Sequence, residues 1–173
     1  MKIAVLGYSG SGKSTLAGKL SSLYDIPVLH LDTVQFVPGW AERDRDEARA
    51  MVRDFMRHAS WVIDGNYTDF YQPERLEQAD TILFLDFPRR VCLARAFKRY
   101  LQYKNTTRES MAEGCPEKLD LEFIGWILFT GRTNKVRRHF REIVARYPGK
   151  AVVLRNQRQV DAYLRKVSSQ VLL

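Results

Sequence analysis

The sequence predicts an α/β fold, a doubly wound parallel sheet of five strands with helices packed on it. Three observations predict this. Short apolar runs alternate with segments whose apolar residues recur at helical spacing. A glycine-rich stretch, Gly7-Tyr8-Ser9-Gly10-Ser11-Gly12-Lys13-Ser14-Thr15, joins the first run to the first helical segment. Acids close the second, third and fourth runs, at Asp32, Asp64 and Asp86, where open α/β sheets bind their ligands.

The first strand is the buried-type run Met1 to Leu6. The stretch after it fits G-x-x-x-x-G-K-[ST], a loop whose backbone N–H groups turn inward around phosphate. Gly7, Gly10 and Gly12 permit that path, with Ser9, Ser11 and Thr15 completing the cradle. Lys13 would reach the β- and γ-phosphates and Ser14 would join the Mg²⁺ shell. The helix beginning near Lys13, with Leu16, Leu20 and Leu23 on one face, adds its positive end to the same place. Strand, glycine loop and helix stand in the order that the motif requires, so nucleoside triphosphate binding is expected.

Val28 to Asp32 reads as the second strand. Asp32 then either orients Mg²⁺-bound water, takes a proton from an acceptor hydroxyl, or caps a loop. The loop 33–40 carries Phe36 and Trp40, which line an acceptor pocket or belong to the core. Residues 42–60 read as an amphipathic helix. Trp61 to Tyr67 forms a third strand, in which Asp64 is placed to hold a Mg²⁺-bound water and Gly65 clears the backbone from phosphate. Thr81 to Asp86 is the fourth and most apolar strand, and Asp86 is a second candidate for a Mg²⁺-linked acid or, with Phe87-Pro88 following at once, part of a structural turn.

From Arg89 to Tyr103 a helix is expected, with Arg95 and Arg99 one turn apart. They grip one anion or form a solvated basic face. Residues 104–119 lose periodicity and read as a lid-like excursion, in which Arg108 could complete a site on closure. Helical character resumes over Asp120 to Phe129, arginines follow from Arg132, and Ala151 to Leu154 is the fifth strand before a last helix.

The chain's 173 residues, 45% of them hydrophobic, fit one domain, residues 1–173, with its lid-like insertion at about 100–120. No apolar run approaches the ~18 residues of a membrane span, and the N-terminal residues show no cleavable signal pattern. Cys92 and Cys115 lack metal-ligand spacing and suggest reduced thiols, hence a cytoplasmic protein. The net charge of +8 suits either nucleic-acid phosphates or a site closing over a triphosphate and a second anion.

Several strings together resemble a known family: His30-Leu31-Asp32, Pro38-Gly39-Trp40, Ile63-Asp64-Gly65-Asn66-Tyr67, residues 85–95 (LDFPRRVCLAR) and residues 113–123 (EGCPEKLDLEF). They are similar to the adenylate-kinase-like P-loop family known as DNA topology modulation proteins. The resemblance implies a P-loop NTPase fold of nucleoside-monophosphate-kinase type, strand order 2-3-1-4-5, with ATP and Mg²⁺ as ligands. It implies phosphate or Mg²⁺ contacts for Lys13, Ser14, Asp64, Arg95 and Arg99. Asn66-Tyr67 stands where true adenylate kinases carry Phe-Pro, so AMP is not implied as acceptor.

The function expected is ATP-dependent phosphoryl transfer to a small acceptor (a nucleotide, a nucleoside or a related metabolite). The arginines would neutralise the transferring group, and Asp32 would act on the acceptor hydroxyl. The alternative is a DNA-associated topology modulation protein whose ATP site acts as a switch. No helix-turn-helix, zinc or RNA-binding signature accompanies it.

Overall fold

In the computed structural model, which describes residues 1–104, 106–108 and 110–171, five parallel strands form one sheet. They are β1 (Lys2–Gly7), β2 (Val28–His30), β5 (Trp61–Asp64), β6 (Thr81–Leu85) and β7 (Ala151–Leu154). Their order is β2-β5-β1-β6-β7, with every neighbouring pair parallel. Strands β3 (Phe36–Val37) and β4 (Ala41–Glu42) make a separate antiparallel hairpin. Because the expected order 2-3-1-4-5 counted only strands of the main sheet, this hairpin shifts the later numbers by two.

The central strands are apolar on both faces because helices cover both. Ile3 to Leu6, Trp61 to Ile63 and Ile82 to Leu85 are all buried. Helix α1 (Lys13–Tyr24) buries Leu16, Ala17 and Leu20 in that core. Further helices are α2 (Leu31–Gln35), α3 (Arg45–Phe55), α4 (Gln72–Gln78), α5 (Arg89–Tyr103), α6 (Leu121–Leu128), α7 (Asn134–Arg146) and α8 (Gln157–Val171). Register places Asp64 opposite both Val5 and His30, and Gly7 opposite Leu85. The carboxyl ends of β2, β5, β1 and β6 therefore open at one edge.

Several boundaries differ from the sequence expectation. The second strand ends at His30, and Asp32 lies in the first turn of α2. Thr33 Oγ1 donates to the His30 carbonyl at 2.7 Å, a local bond that turns the chain out of extended structure. The loop expected over 33–40 is instead the rest of α2, then β3 and a short 3-10 turn at Pro38–Trp40. The helix expected over 42–60 spans only Arg45–Phe55, because Asp44 caps it by accepting from the amides of Asp46 and Glu47. The third strand stops at Asp64, and residues 65–71 loop back. A small second core, Met111, Ala112 and Cys115 with Phe36 and Trp40, joins the excursion to the hairpin.

Candidate active site

The loop between β1 and α1 has the backbone its sequence demands. Gly10 adopts φ 77° and Gly12 φ 96°, conformations that a side chain disfavours. At Gly10 a Cβ would also fall 2.4 Å from the Cys92 carbonyl oxygen, so α5 packs directly against the loop. The loop tightens through Ser11 N–H donating to the Tyr8 carbonyl at 3.0 Å. Its entry is fixed from β5's side: Gly7 N–H donates to Asn66 Oδ1 at 3.1 Å, and Asn66 Nδ2 returns a bond to the Gly7 carbonyl at 2.7 Å. Ser9 Oγ accepts from Trp126 Nε1 at 3.2 Å. The Ser11 hydroxyl is buried with no hydrogen-bond partner among the described residues, and Thr15 is exposed on the cavity wall.

Lys13 rests with Nζ 3.4 Å from the Tyr8 carbonyl. Burial pushes its ammonium below the ordinary lysine range, while the charges of Asp32 and Asp64 oppose that shift. Ser14 Oγ donates to Asp64 Oδ2 at 2.9 Å, and Asp64 Oδ1 lies 2.5 Å from His30 Nδ1. Asp64 is almost wholly buried, so its two bonds hold one orientation. Asp32 Oδ1 accepts from Tyr67 Oη at 2.8 Å. Burial and then the charge of Asp32 push the Tyr67 phenol far up, which keeps it a donor.

The two arginines of α5 reach different partners in this structure. Arg95 Nη1 donates to the Ser11 carbonyl and Nη2 to Gln157 Oε1, both at 2.6 Å, with its guanidinium 4.3 Å over the Phe87 ring. Arg99 turns the other way and pairs with Glu117 at 2.6 Å. Arg108 pairs with the same carboxylate at 2.6 Å. Asp86 belongs to a turn: its N–H donates to the Leu154 carbonyl and its carboxylate lies 3.8 Å from Arg155.

Several supporting residues had no role in the sequence reading. Arg75 is fully buried and donates to the carbonyls of Phe70 and Tyr67 at 2.7 Å and of Gly65 at 3.5 Å. It thereby shapes the loop that carries Asn66 and Tyr67. Arg132 is buried with its guanidinium 3.7 Å over the Tyr8 ring, and Nη2 reaches Cys92 Sγ at 3.0 Å. Asn66, His30 and Tyr67 stood inside the quoted strings, but only the folded register shows what they touch. Glu117 likewise stood inside the quoted string 113–123, and Arg75 had no signal beyond its residue type.

The phosphate-type loop, Asp32, Asp64, Arg95, Arg99 and Arg108 all line one cavity of about 2370 Å³. That exceeds the ~300–1,000 Å³ of a typical single-ligand pocket, so two ligands fit. A serine hydroxyl beside an aspartate is a hard oxygen donor set, suited to Mg²⁺ that keeps most of its water and takes phosphate oxygens. Among the described residues no group of three or more His, Cys, Asp or Glu side chains is arranged to hold a metal by itself. The residues therefore fit a Mg²⁺ ion that arrives with a phosphate ligand.

No family model matches the chain, and no curated protein matches it. Solved structures do. The chain is similar to shikimate kinase from Bacteroides thetaiotaomicron, with TM-score 0.55 and 16% identity over 100% of this chain and 99% of that one. It is also similar to shikimate kinase from Acinetobacter baumannii in complex with shikimate, with TM-score 0.57 and 18% identity over 99% of this chain and 92% of that one. At such identities the likeness concerns the fold alone: a five-stranded parallel sheet with helices, shared over the whole chain.

Proposed function

We propose that this chain is a P-loop phosphotransferase that moves the γ-phosphoryl group of ATP–Mg²⁺ to a small acceptor. The observation that carries the reading is the convergence of Lys13, the Ser14–Asp64–His30 chain and Asp32 on one cavity with room for two ligands. Glycine-loop amides and Lys13 would hold the phosphates, and Asp64 would keep Ser14 oriented and take a Mg²⁺-bound water. When bound, Mg²⁺ supplies charge neutralisation on the phosphate oxygens. Arg99 and Arg108, which line the same cavity, would neutralise charge on the transferring group, and Arg95 braces the loop at Ser11. Asp32, held by Tyr67, would receive the proton of an acceptor hydroxyl. Positioning and electrostatics are the main requirement of such transfer. The arrangement supports one domain with its 100–120 region as the lid, and the resemblance to the DNA topology modulation family supports ATP as donor.

A second reading, a DNA-associated protein switched by ATP, draws on one observation. Helix α7 presents Arg137, Arg138 and Arg141 to solvent, a face that could meet a phosphate backbone.

The deciding experiment measures ADP release from ATP–Mg²⁺ with nucleoside monophosphates, nucleosides, other hydroxyl metabolites and supercoiled DNA added singly, beside a Lys13→Ala control. Stimulation by one small molecule that disappears in the variant is the expected result. Stimulation by DNA alone would replace the first reading with the second.

A further inference from the structure

Glu117 holds an unexpected place for a carboxylate. Its side chain is 5% exposed, yet it lines the cavity that holds the glycine loop. Oε1 accepts from Arg99 Nε at 2.7 Å, with Arg99 Nη2 at 2.6 Å, and Oε2 accepts from Arg108 Nε at 2.6 Å. Two guanidiniums, one on each carboxylate oxygen, make a doubly cationic pocket whose charge-assisted bonds phosphate oxygens could also accept. Without an anion between them the pair is costly. Burial and then the charge of Arg108 push the Arg99 guanidinium down, and Glu117 opposes both.

The same carboxylate belongs to a segment that lines the cavity and is bonded to the β3–β4 hairpin. Glu117 N–H donates to the Thr106 carbonyl at 3.0 Å. Gly39 N–H donates to Gly114 O at 3.0 Å, Trp40 Nε1 to Pro116 O at 3.3 Å, and Cys115 Sγ to Val37 O at 3.2 Å. What occupies the arginine pair is therefore mechanically tied to whether the segment stays on the hairpin.

We infer that Arg99 and Arg108 form an anion site that Glu117 fills from within, and that phosphate oxygens of a bound polyphosphate displace Glu117 and release the segment from the hairpin. The inference rests on the cavity being a triphosphate site. Its consequence is selectivity by charge. A tethered carboxylate competes at a high effective concentration, so a singly charged anion fails to dislodge it. A polyphosphate, which also engages the glycine loop, succeeds.

The test titrates inorganic tripolyphosphate into the wild-type chain, Glu117→Gln, Glu117→Asp and Lys13→Ala, and follows binding by calorimetry. Glu117→Gln, which keeps the shape and loses the charge, is expected to bind about tenfold more tightly, the scale of one competing charge in a partly screened site. Glu117→Asp is expected to resemble wild type. Unchanged or weaker binding by Glu117→Gln overturns the inference, and leaves the triphosphate reading standing if Lys13→Ala still loses binding. Absence of tripolyphosphate binding to both wild type and Glu117→Gln overturns both. Hydrogen exchange on the wild-type chain is independent of the variants' folding. Tripolyphosphate is expected to speed exchange at the amide of Gly39, which bonds the hairpin to the segment, and unchanged or slower exchange there refutes the displacement.

Discussion

Asn66 gives Gly7 the donor and acceptor that a neighbouring strand would otherwise give. Asn66→Ala leaves both Gly7 groups without these partners, so a stability loss of about 1–3 kcal/mol is expected in urea unfolding. The KM for ATP should rise in parallel, because the entry to the loop is no longer fixed. Arg75 is the more severe case. Arg75→Met keeps the volume but strips the carbonyls of Phe70 and Tyr67 of their donors, and about 3 kcal/mol of destabilisation is expected in the same measurement. Tyr163 gives a pH signature. Burial, with Tyr24 nearby, pushes its phenol up to about 12 from an ordinary 10.0. Between those values the unfolded chain releases this proton and the folded chain keeps it. The contribution is therefore fully present below pH 10 and is lost as pH rises towards 12. Thermal midpoints measured from pH 9 upward should fall more steeply for wild type than for Tyr163→Phe.

At the scale of elements, legibility followed the reach of the signal. β1, the glycine loop and α1 were readable because a motif, an apolar run and a helical period adjoin within 24 residues. α5 was readable for its long period. β3 and β4 were not, since strands of two residues carry no period and are held by the partner across the turn. α2 escaped because Val28–Gln35 begins as a three-residue strand and turns on a side-chain bond into a helix of five. α7 did leave a trace: Val136, Phe140, Ile143 and Val144 follow the helical spacing, but the arginines between them drew the reading to charge instead. Two elements invite direct tests. Asp44→Ala removes the cap of α3 and should cost about 1 kcal/mol in urea unfolding. Gly114 has φ 73°, and a Cβ there would meet Pro38 at 2.9 Å. Gly114→Ala should therefore loosen the excursion from the hairpin, seen as faster proteolysis within 106–119 at unchanged global stability.

Across the whole molecule, the candidate site is assembled by strand order. β1 stands between β5 and β6, so the loop after β1 meets Asp64 and Asn66 on one side and the start of α5 on the other. The sequence announced Asp64 at the end of its strand, whereas Asp32 falls in α2 and Asp86 just beyond β6. It carried no record of the pairings Arg99–Glu117 or Arg95–Gln157, which join residues 18 and 62 positions apart, because long-range partners leave no periodic mark. Asp64→Asn tests the assembly as a site, since it spares the packing while removing the charge that orients Ser14. Acceptor-stimulated ADP release should fall about 10²–10³-fold, the scale of losing one preorganised electrostatic contact, with a higher Mg²⁺ requirement.

The clasp between Asn66 and Gly7 spans 59 positions, and that separation bears on when the loop becomes able to bind. A chain emerging from the ribosome can complete β1, the loop and α1 long before Asn66 has been made. Until β5 pairs with β1, the loop has its glycines but neither bond of the clasp. Nucleotide affinity should therefore appear in refolding as a late event, after helix formation and together with the slower closure of a long-range parallel pairing.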